Sequence, residues 1–393
     1  MSDSLHFYGK SSDVVAVSLP NQTGSVIDQW SELRSAMTQT VPDSFTRDEW
    51  AYLMSFLDTT HLNQPFKECF GETIPAGAGP VVRLFRPRGR IALWLPNNVS
   101  LLGPLTLILV SLTGQPLRIK AGSQSNNLTK DFLDFASSRL SDCALRRYLA
   151  DSVICETFDR HHIGNTEMAG EAQVRIVFGS NEAAREIHSL PHPLESIGFS
   201  FVDRRSEVWI EEESLSDKLL TTLLKIFAIY GQAGCTSPRR VVLLGGDTSS
   251  ALALRDRLVE LWPTVLPGLP AMNVASENTM ARQWAAALGW DARIAGSNAG
   301  VIAVGEPDLL VIDSGMFLGI SAATPEQAER TLPDNIQTLG YASQEPNHIR
   351  WLELVARNRI KRLVGLDEMH HFGPLWDGSE FWRQLFEAVE ISS

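Results

Sequence analysis

Cys235 stands in Gly231-Gln-Ala-Gly-Cys-Thr-Ser-Pro, a run of small residues where a long helix gives way to a strand. A nucleophilic thiol needs room for a tetrahedral adduct, which the two glycines leave, and a pKa lowered from about 8.5 so that thiolate is populated near neutrality. The competing reading is a buried cysteine packing as a small hydrophobe. Asn98 follows a predicted strand in Pro96-Asn-Asn-Val-Ser. Its carboxamide N–H, with the backbone N–H of Cys235, would form an oxyanion hole, in which one donor contributes about 10²–10³ in rate. A turn or helix N-cap asparagine is the alternative there.

Lys120 and Arg118 lie two apart on a predicted strand and so share a face, with Gly122-Ser123 following. Ligands of open α/β sheets bind outside the carboxyl ends of strands, which is where this segment ends, although a solvated strand edge has the same pattern. Gly179-Ser180 closes the strand Val174–Phe178 and opens a helix whose free N–H groups and dipole favour a phosphate. Gly245-Gly246-Asp247 lacks the third glycine of a dinucleotide fingerprint and is read as a structural turn. His161-His162 and His370-His371 are adjacent pairs without the i, i+3 or i, i+4 spacing of metal ligands on a helix, so surface or supporting roles are expected.

The elements that must hold these residues alternate. Strand Arg90–Leu95, buried helix Leu101–Leu112, strand Pro116–Lys120 and a helix Leu128–Leu140 starting near Asn126 or Asn127 are followed by strands at Ser152, Val174 and Ser196. This is the rhythm of an open parallel sheet with crossover helices. A second unit begins with helix Asp217–Tyr230, strand Arg240–Leu244 and helix Ser249–Leu261, then a Pro-rich break at Pro263–Pro270, a helix Glu277–Leu288, and strands at Gly300 and Leu309. The first eighty residues read as an irregular cap with an amphipathic helix capped by Thr46 or Ser44. The expected divisions are a cap at 1–80, a nucleotide-binding domain at 81–215, a catalytic domain at 216–334 and a C-terminal return to the nucleotide-binding domain at 335–393.

Composition agrees with a folded chain of two or three lobes: 393 residues, 44% apolar and 20% charged. The net charge of −12 supplies no basic stripe for nucleic acid. The four cysteines form no C-x-x-C pair, and Met1-Ser-Asp-Ser-Leu-His lacks the pattern of a secretory signal, so a cytoplasmic protein with reduced thiols is expected. The most apolar stretch, Ile91–Leu112, is broken by Pro96, Asn97, Asn98, Gly103 and Pro104, and no membrane span is expected.

Taken in order, Leu95-Pro-Asn-Asn-Val-Ser, Ile119-Lys-Ala-Gly-Ser, Val177-Phe-Gly-Ser, Gly231-Gln-Ala-Gly-Cys-Thr-Ser-Pro, Ile336-Gln-Thr-Leu-Gly and Leu375-Trp-Asp-Gly resemble the aldehyde dehydrogenase superfamily over roughly residues 80 to 380. The resemblance is closest to its acyl-CoA reductase branch, the fatty-acyl reductase type of bacterial luminescence systems. It implies an α/β, aldehyde dehydrogenase-like fold of two open lobes, nucleotide-binding and catalytic, with the active site between them. It further implies a thiolate at Cys235, an oxyanion donor at Asn98, and nicotinamide nucleotide contacts at Lys120 and at the helix following Gly179 and Ser180.

Two departures refine this. The E-L-G-G and E-x-F-G-P glutamates of hydrolytic relatives are not recognisable, Ser196-Ile-Gly-Phe-Ser standing near the first. An activated water would divert an acyl-enzyme to carboxylate, so the loss suits thioester reduction. Ser123 stands where NAD-preferring relatives carry Glu, which relieves repulsion of a 2′-phosphate that Arg118 or Lys120 could neutralise and so favours NADPH. The expected activity is NADPH-dependent reduction of an acyl-CoA or acyl carrier protein thioester to aldehyde by a homodimer or higher homo-oligomer. Aldehyde dehydrogenase, acyl-phosphate reductase and non-catalytic acyl-transfer partner are the alternatives.

Overall fold

A computed structural model describes residues 3–10, 13–97, 99, 101–122, 127–232, 234–270, 272–306, 315–345 and 349–391. Asn98, Ser123 and the strand expected at Leu309 lie outside the described residues. The chain forms two units, Met1–Val202 with Phe372–Ser393, and Asp203–His371. The first contains β1 (Asp3–Lys10), β2 (Asp13–Pro20), β3 (Glu72–Thr73), β4 (Val81–Pro87), β5 (Ile91–Trp94), β6 (Leu117–Ala121), β7 (Val153–Thr157), β8 (Val174–Gly179) and β9 (Ile197–Val202). The second contains β10 (Arg205–Glu211), β11 (Pro238–Leu244), β12 (Asp291–Ala295), β13 (Gly300–Val304), β14 (Phe317–Ala323), β15 (Ile336–Ala342) and β16 (Arg362–Gly365). The tail adds β17 (Phe386–Glu390) to the first unit.

In the first unit, β7-β6-β5-β8-β9 form a wholly parallel sheet. Helix Leu102–Ser111 is apolar all round, and each of its residues is buried. Gly103 lets it pack closely on its neighbours: a Cβ there would meet the Thr129 hydroxyl and come within 2.7 Å of Leu95. The next helix, Leu128–Arg139, starts at Asn127, whose side chain accepts from the Lys130 N–H at 3.1 Å. Chain order runs outward from β5 to β6 and β7 and then from β8 to β9, so the topological switch point falls between β5 and β8.

The N-terminal residues do not form a separate cap. β1 and β2 make an antiparallel hairpin, β2 pairs with β4, and β17 pairs with the other edge of β4, giving the sheet β17-β4-β2-β1-β3. Alternation along β1 is weak because few of its residues are buried, and this hid the hairpin from pattern reading. Thr46 is the cap of helix Arg47–Phe56, in a capping box with Glu49.

In the second unit the sheet runs β12-β13-β14-β11-β10-β15-β16, antiparallel only at β12. Its strands are buried on both faces: Val208 and Ile210 join the cluster of Leu223, Phe227, Leu254 and Leu258, while Trp209 faces Trp351 and Leu354. The expected divisions move accordingly. β10 belongs to this sheet, so the unit begins at 203 and not 216, and β15 and β16 keep the chain here until 371 and not 335. Pairing between β10 and β15 joins segments too far apart for local pattern to reveal. Helix Thr248–Val265 runs through Pro263, where a break was expected.

Glu207 and Arg240 are register partners on β10 and β11, joined at 2.8 Å with side chains 5% and 4% exposed. Burial holds the Glu207 carboxyl above its ordinary range even though Arg240 pulls it down. Removing one partner of such a pair typically costs about 3–5 kcal/mol, because the other charge is left buried alone. Arg240→Met is therefore expected to lower the denaturant midpoint sharply, and Glu207→Gln added to it to recover much of the loss. An unchanged midpoint in the single variant would show that the pair contributes nothing.

Candidate active site

Helix Asp217–Ala228 passes into a 3₁₀ turn, Ile229–Gln232, before Gly234–Ser237 lead into β11, and the side chains of Gln232, Ser206 and His370 bond across this connection. Gln232 adopts φ +62 and is 1% exposed. Its amide N–H groups donate to the carbonyls of Phe317 at 2.6 Å and Pro238 at 3.1 Å. Its amide oxygen accepts from the Phe317 N–H at 2.9 Å and from Arg239 at 3.3 Å. A single carboxamide thus stands in for a strand neighbour of Phe317.

Ser206, at the start of β10 and fully buried, donates its hydroxyl to the Cys235 carbonyl at 2.6 Å. Thr236 and Ser237 are buried, whereas Cys235 is half-buried. Thr236 Oγ1 lies 2.7 Å from His370 Nδ1, and His370 Nε2 lies 2.7 Å from the Ile226 carbonyl. A carbonyl can only accept, so Nε2 carries a proton. Burial pushes the His370 pKa down to about 4, so the imidazole is neutral and its Nδ1 accepts from the Thr236 hydroxyl. The thiols form no disulfide. Burial pushes the Cys69 thiol up to about 12 and raises that of Cys155, disfavouring the thiolate at both.

In the first unit, the carboxyl ends of β5, β6 and β8 bring Asn97, Lys120, Gly122, Gly179 and Ser180 to one edge of the sheet. Gly122 admits a close backbone approach: a Cβ there would meet Asn97 Oδ1 and lie 2.8 Å from the Pro96 carbonyl. Trp94 donates to Asn165 at 2.9 Å, and Asn165 in turn donates to the Arg160 carbonyl at 2.9 Å, fixing the loop after β7. Ser180 caps helix Asn181–Ser189 by accepting from Ala183 N–H at 3.1 Å.

Lys120 and Arg118 share a face of β6, as their spacing predicts, but their surroundings differ. Arg118 is held by Glu156 at 2.8 Å and Glu167 at 3.5 Å, and its side chain is only 15% exposed. Its charge is already answered, which a spacing argument could not show. Burial lowers the pKa of Lys120, opposed by Asp159. Among the described residues no carboxylate forms an ion pair with it.

Sequence reasoning missed Gln232, Ser206 and His370 as supports of Cys235. Gln232 lay in the quoted motif, but its partner Phe317 did not; His370 sits 134 residues from Thr236 and left no local signal. Among the described residues no cluster of His, Cys, Asp or Glu could hold a metal ion. None of their helices is long and apolar enough to cross a membrane. Gly245-Gly246-Asp247 is a structural turn in which Asp247 caps the next helix.

The family model for acyl-CoA reductase (LuxC) matches residues 80–304, more than half of the chain and including Asn98, Lys120, Gly179 and Cys235. The chain belongs to the acyl-CoA reductase (LuxC) family. No curated protein matches it by sequence. Among solved structures, an aldehyde dehydrogenase from Brucella melitensis biovar abortus 2308 is similar with a TM-score of 0.67 and 14% identity, over 94% of this chain and 84% of that one. An aldehyde dehydrogenase from Bartonella henselae is similar at 0.66 and 11%, over 94% and 85%. An NAD-dependent benzaldehyde dehydrogenase from Corynebacterium glutamicum is similar at 0.65 and 12%, also over 94% and 85%. The fold is aldehyde dehydrogenase-like, and the protein is an oxidoreductase of the acyl-CoA reductase and aldehyde dehydrogenase type.

Gln232→Ala should strand the buried N–H and C=O of Phe317, each unsatisfied group costing about 1–3 kcal/mol. The expected outcome is a lower melting temperature and faster proteolytic cleavage within 229–237. Cleavage there at the wild-type rate would mean that the carboxamide does not hold the loop.

Proposed function

We propose that this protein reduces an acyl thioester, carried on CoA or an acyl carrier protein, to the aldehyde, with NADPH as reductant and Cys235 as nucleophile. The observation that carries this reading is the Cys235 segment itself: a half-buried thiol on irregular backbone, with its carbonyl bonded to Ser206 and its neighbour Thr236 bonded to His370. A loop so constrained can present one sulfur repeatedly in one geometry, which covalent catalysis demands.

In this mechanism the Cys235 thiolate adds to the thioester carbonyl carbon, forming a C–S bond. Asn98 and the Cys235 N–H donate to the oxyanion, which collapses with expulsion of the carrier thiolate. Bound at the carboxyl edge of β5, β6 and β8, a reduced nicotinamide would supply hydride, two electrons and one proton, to the acyl carbon. The thiohemiacetal oxyanion then left on Cys235 collapses and breaks its C–S bond, releasing aldehyde and regenerating the thiolate. Ser196-Ile-Gly-Phe-Ser offers no carboxylate to activate water against the acyl-enzyme.

Support for a dinucleotide comes from the switch point between β5 and β8, the close approach that Gly122 allows and the helix start at Ser180. Because Arg118 is engaged by Glu156 and Glu167, the proposal assigns the 2′-phosphate to Lys120, with Ser123 removing the repulsion a glutamate would exert. Arg118 contributes by shaping that strand end.

Incubation with an acyl-CoA in the absence of nucleotide should leave an acyl adduct on Cys235, detectable by mass spectrometry. Cys235→Ala should abolish reduction at an unchanged melting temperature; appreciable turnover by that variant would sink the mechanism. One charge-assisted contact at about 1.5–3 kcal/mol favours NADPH over NADH roughly ten- to more than a hundredfold. Lys120→Ala should remove most of that preference by raising KM for NADPH, and Ser123→Glu should reduce or invert it. Equal use of both nucleotides by the wild type would refute the charge argument while leaving the thioester chemistry intact.

A further inference from the structure

Helix Asp217–Ala228 ends where the Cys235 segment begins, and the carbonyls of its last turn have no partners within the helix. The Ile226 carbonyl is met by His370, which belongs to the turn after β16. The same ring meets Thr236, the residue after Cys235, so one imidazole ties the two ends of the connection together. The turn that presents the ring is itself fixed. Arg362 donates to the carbonyls of Glu368 and Met369 at 3.1 Å each, and the His371 N–H donates to the Glu368 carbonyl at 3.0 Å. Met369 is fully buried, and a Cβ on Gly340 would meet its side chain, so the adjoining strand leaves room for this turn only at a glycine.

We infer that His370 is a positioning residue for the nucleophile, setting the Cys235 segment by bridging the Thr236 hydroxyl and the Ile226 carbonyl. This rests on the proposed nucleophilic role of Cys235. In this scheme His370 acts on the thiol through Thr236, the residue next to Cys235. The two bonds use both ring nitrogens in opposite senses, one donating and one accepting, so only a neutral group with a donor and an acceptor at that spacing can replace it. A carboxamide meets the requirement; an alkyl side chain does not.

The test compares His370→Ala, His370→Gln and Thr236→Val in the full-length protein. Thr236→Val removes only the hydroxyl end of the bridge and keeps the branched shape, which guards against a variant that simply fails to fold. The readouts are the single-turnover rate of Cys235 acylation by an acyl-CoA, kcat and KM for reduction, and backbone hydrogen exchange across 229–237. The expected result is acylation slowed tenfold or more in His370→Ala and in Thr236→Val, with KM for nucleotide within threefold of wild type. The double variant should be no slower than the slower single one, because both changes cut one bridge, and His370→Gln should recover part of the rate. Wild-type acylation in folded His370→Ala, or losses that multiply in the double variant, would overturn the inference. Failure of the function reading would look different: wild-type protein would acquire no acyl group at Cys235. Hydrogen exchange then decides the bridge alone, since faster exchange at 234–237 in His370→Ala supports it and unchanged exchange rejects it.

Discussion

Backbone outside helices and strands must find other partners for its N–H and C=O groups, and Cys235, the proposed nucleophile, sits on such backbone. Around the segment 229–237 these groups are met by its own Gln232 and by Ser206 and His370 from elsewhere in the second unit. Gln232 satisfies Phe317 on β14, Ser206 on β10 satisfies the Cys235 carbonyl, and His370 satisfies the end of the preceding helix. Every one of these bonds spans elements whose mutual placement is set by the parallel sheet. Apart from the 3₁₀ turn Ile229–Gln232, the connection is thus held by side-chain bonds to the framing elements.

A parallel sheet imposes the corresponding arrangement in the first unit. Its strands all deliver their carboxyl ends to one edge, and the reversal of chain order between β5 and β8 opens the crossover helices apart there. Gly122 then matters for what it lacks. Without a side chain, Gly122 after β6 can lie against Pro96 and Asn97 after β5, leaving Lys120 as the last cation of β6. Arg118, one residue pair further into the strand, serves the other purpose of a buried cation by binding the carboxylates of Glu156 and Glu167.

Local signals were legible where local physics decides. The capping box at Thr46, the Asn127 cap, the apolar helix before β6 and the strand–Gly-Ser–helix at Gly179 all depend on neighbours within a few residues, and the structure has them where the spacing places them. Signals failed where pairing partners are remote. β10 lies beside β15 although more than a hundred residues separate them, and nothing within Arg205–Glu211 names that partner. Helix Thr248–Val265 passes through Pro263 because the helix continues only briefly beyond it, so local composition suggested a break where burial of Trp262 sustains the helix. His370 was visible only as one of two adjacent histidines; its role depends on a contact with Thr236 that tertiary structure alone creates.

The amino ends of the central strands in the second unit carry polar residues that stability alone does not explain. Ser206, Glu207, Arg240, Gln337 and Thr338 are all buried, and placing polar groups in a sheet interior costs free energy unless each finds a partner. Glu207 and Arg240 answer one another, and Ser206 answers the Cys235 carbonyl. Gln337 sits at a register shift of β15 beside Ser206, and among the described residues neither its amide atoms nor the Thr338 hydroxyl has a hydrogen-bond partner. Of these five, Ser206 is the one whose side chain reaches the connection holding Cys235, while Glu207 and Arg240 satisfy each other inside the sheet. The polar strand ends are thus a local sacrifice of core stability, concentrated at the same end of the sheet from which Ser206 reaches Cys235.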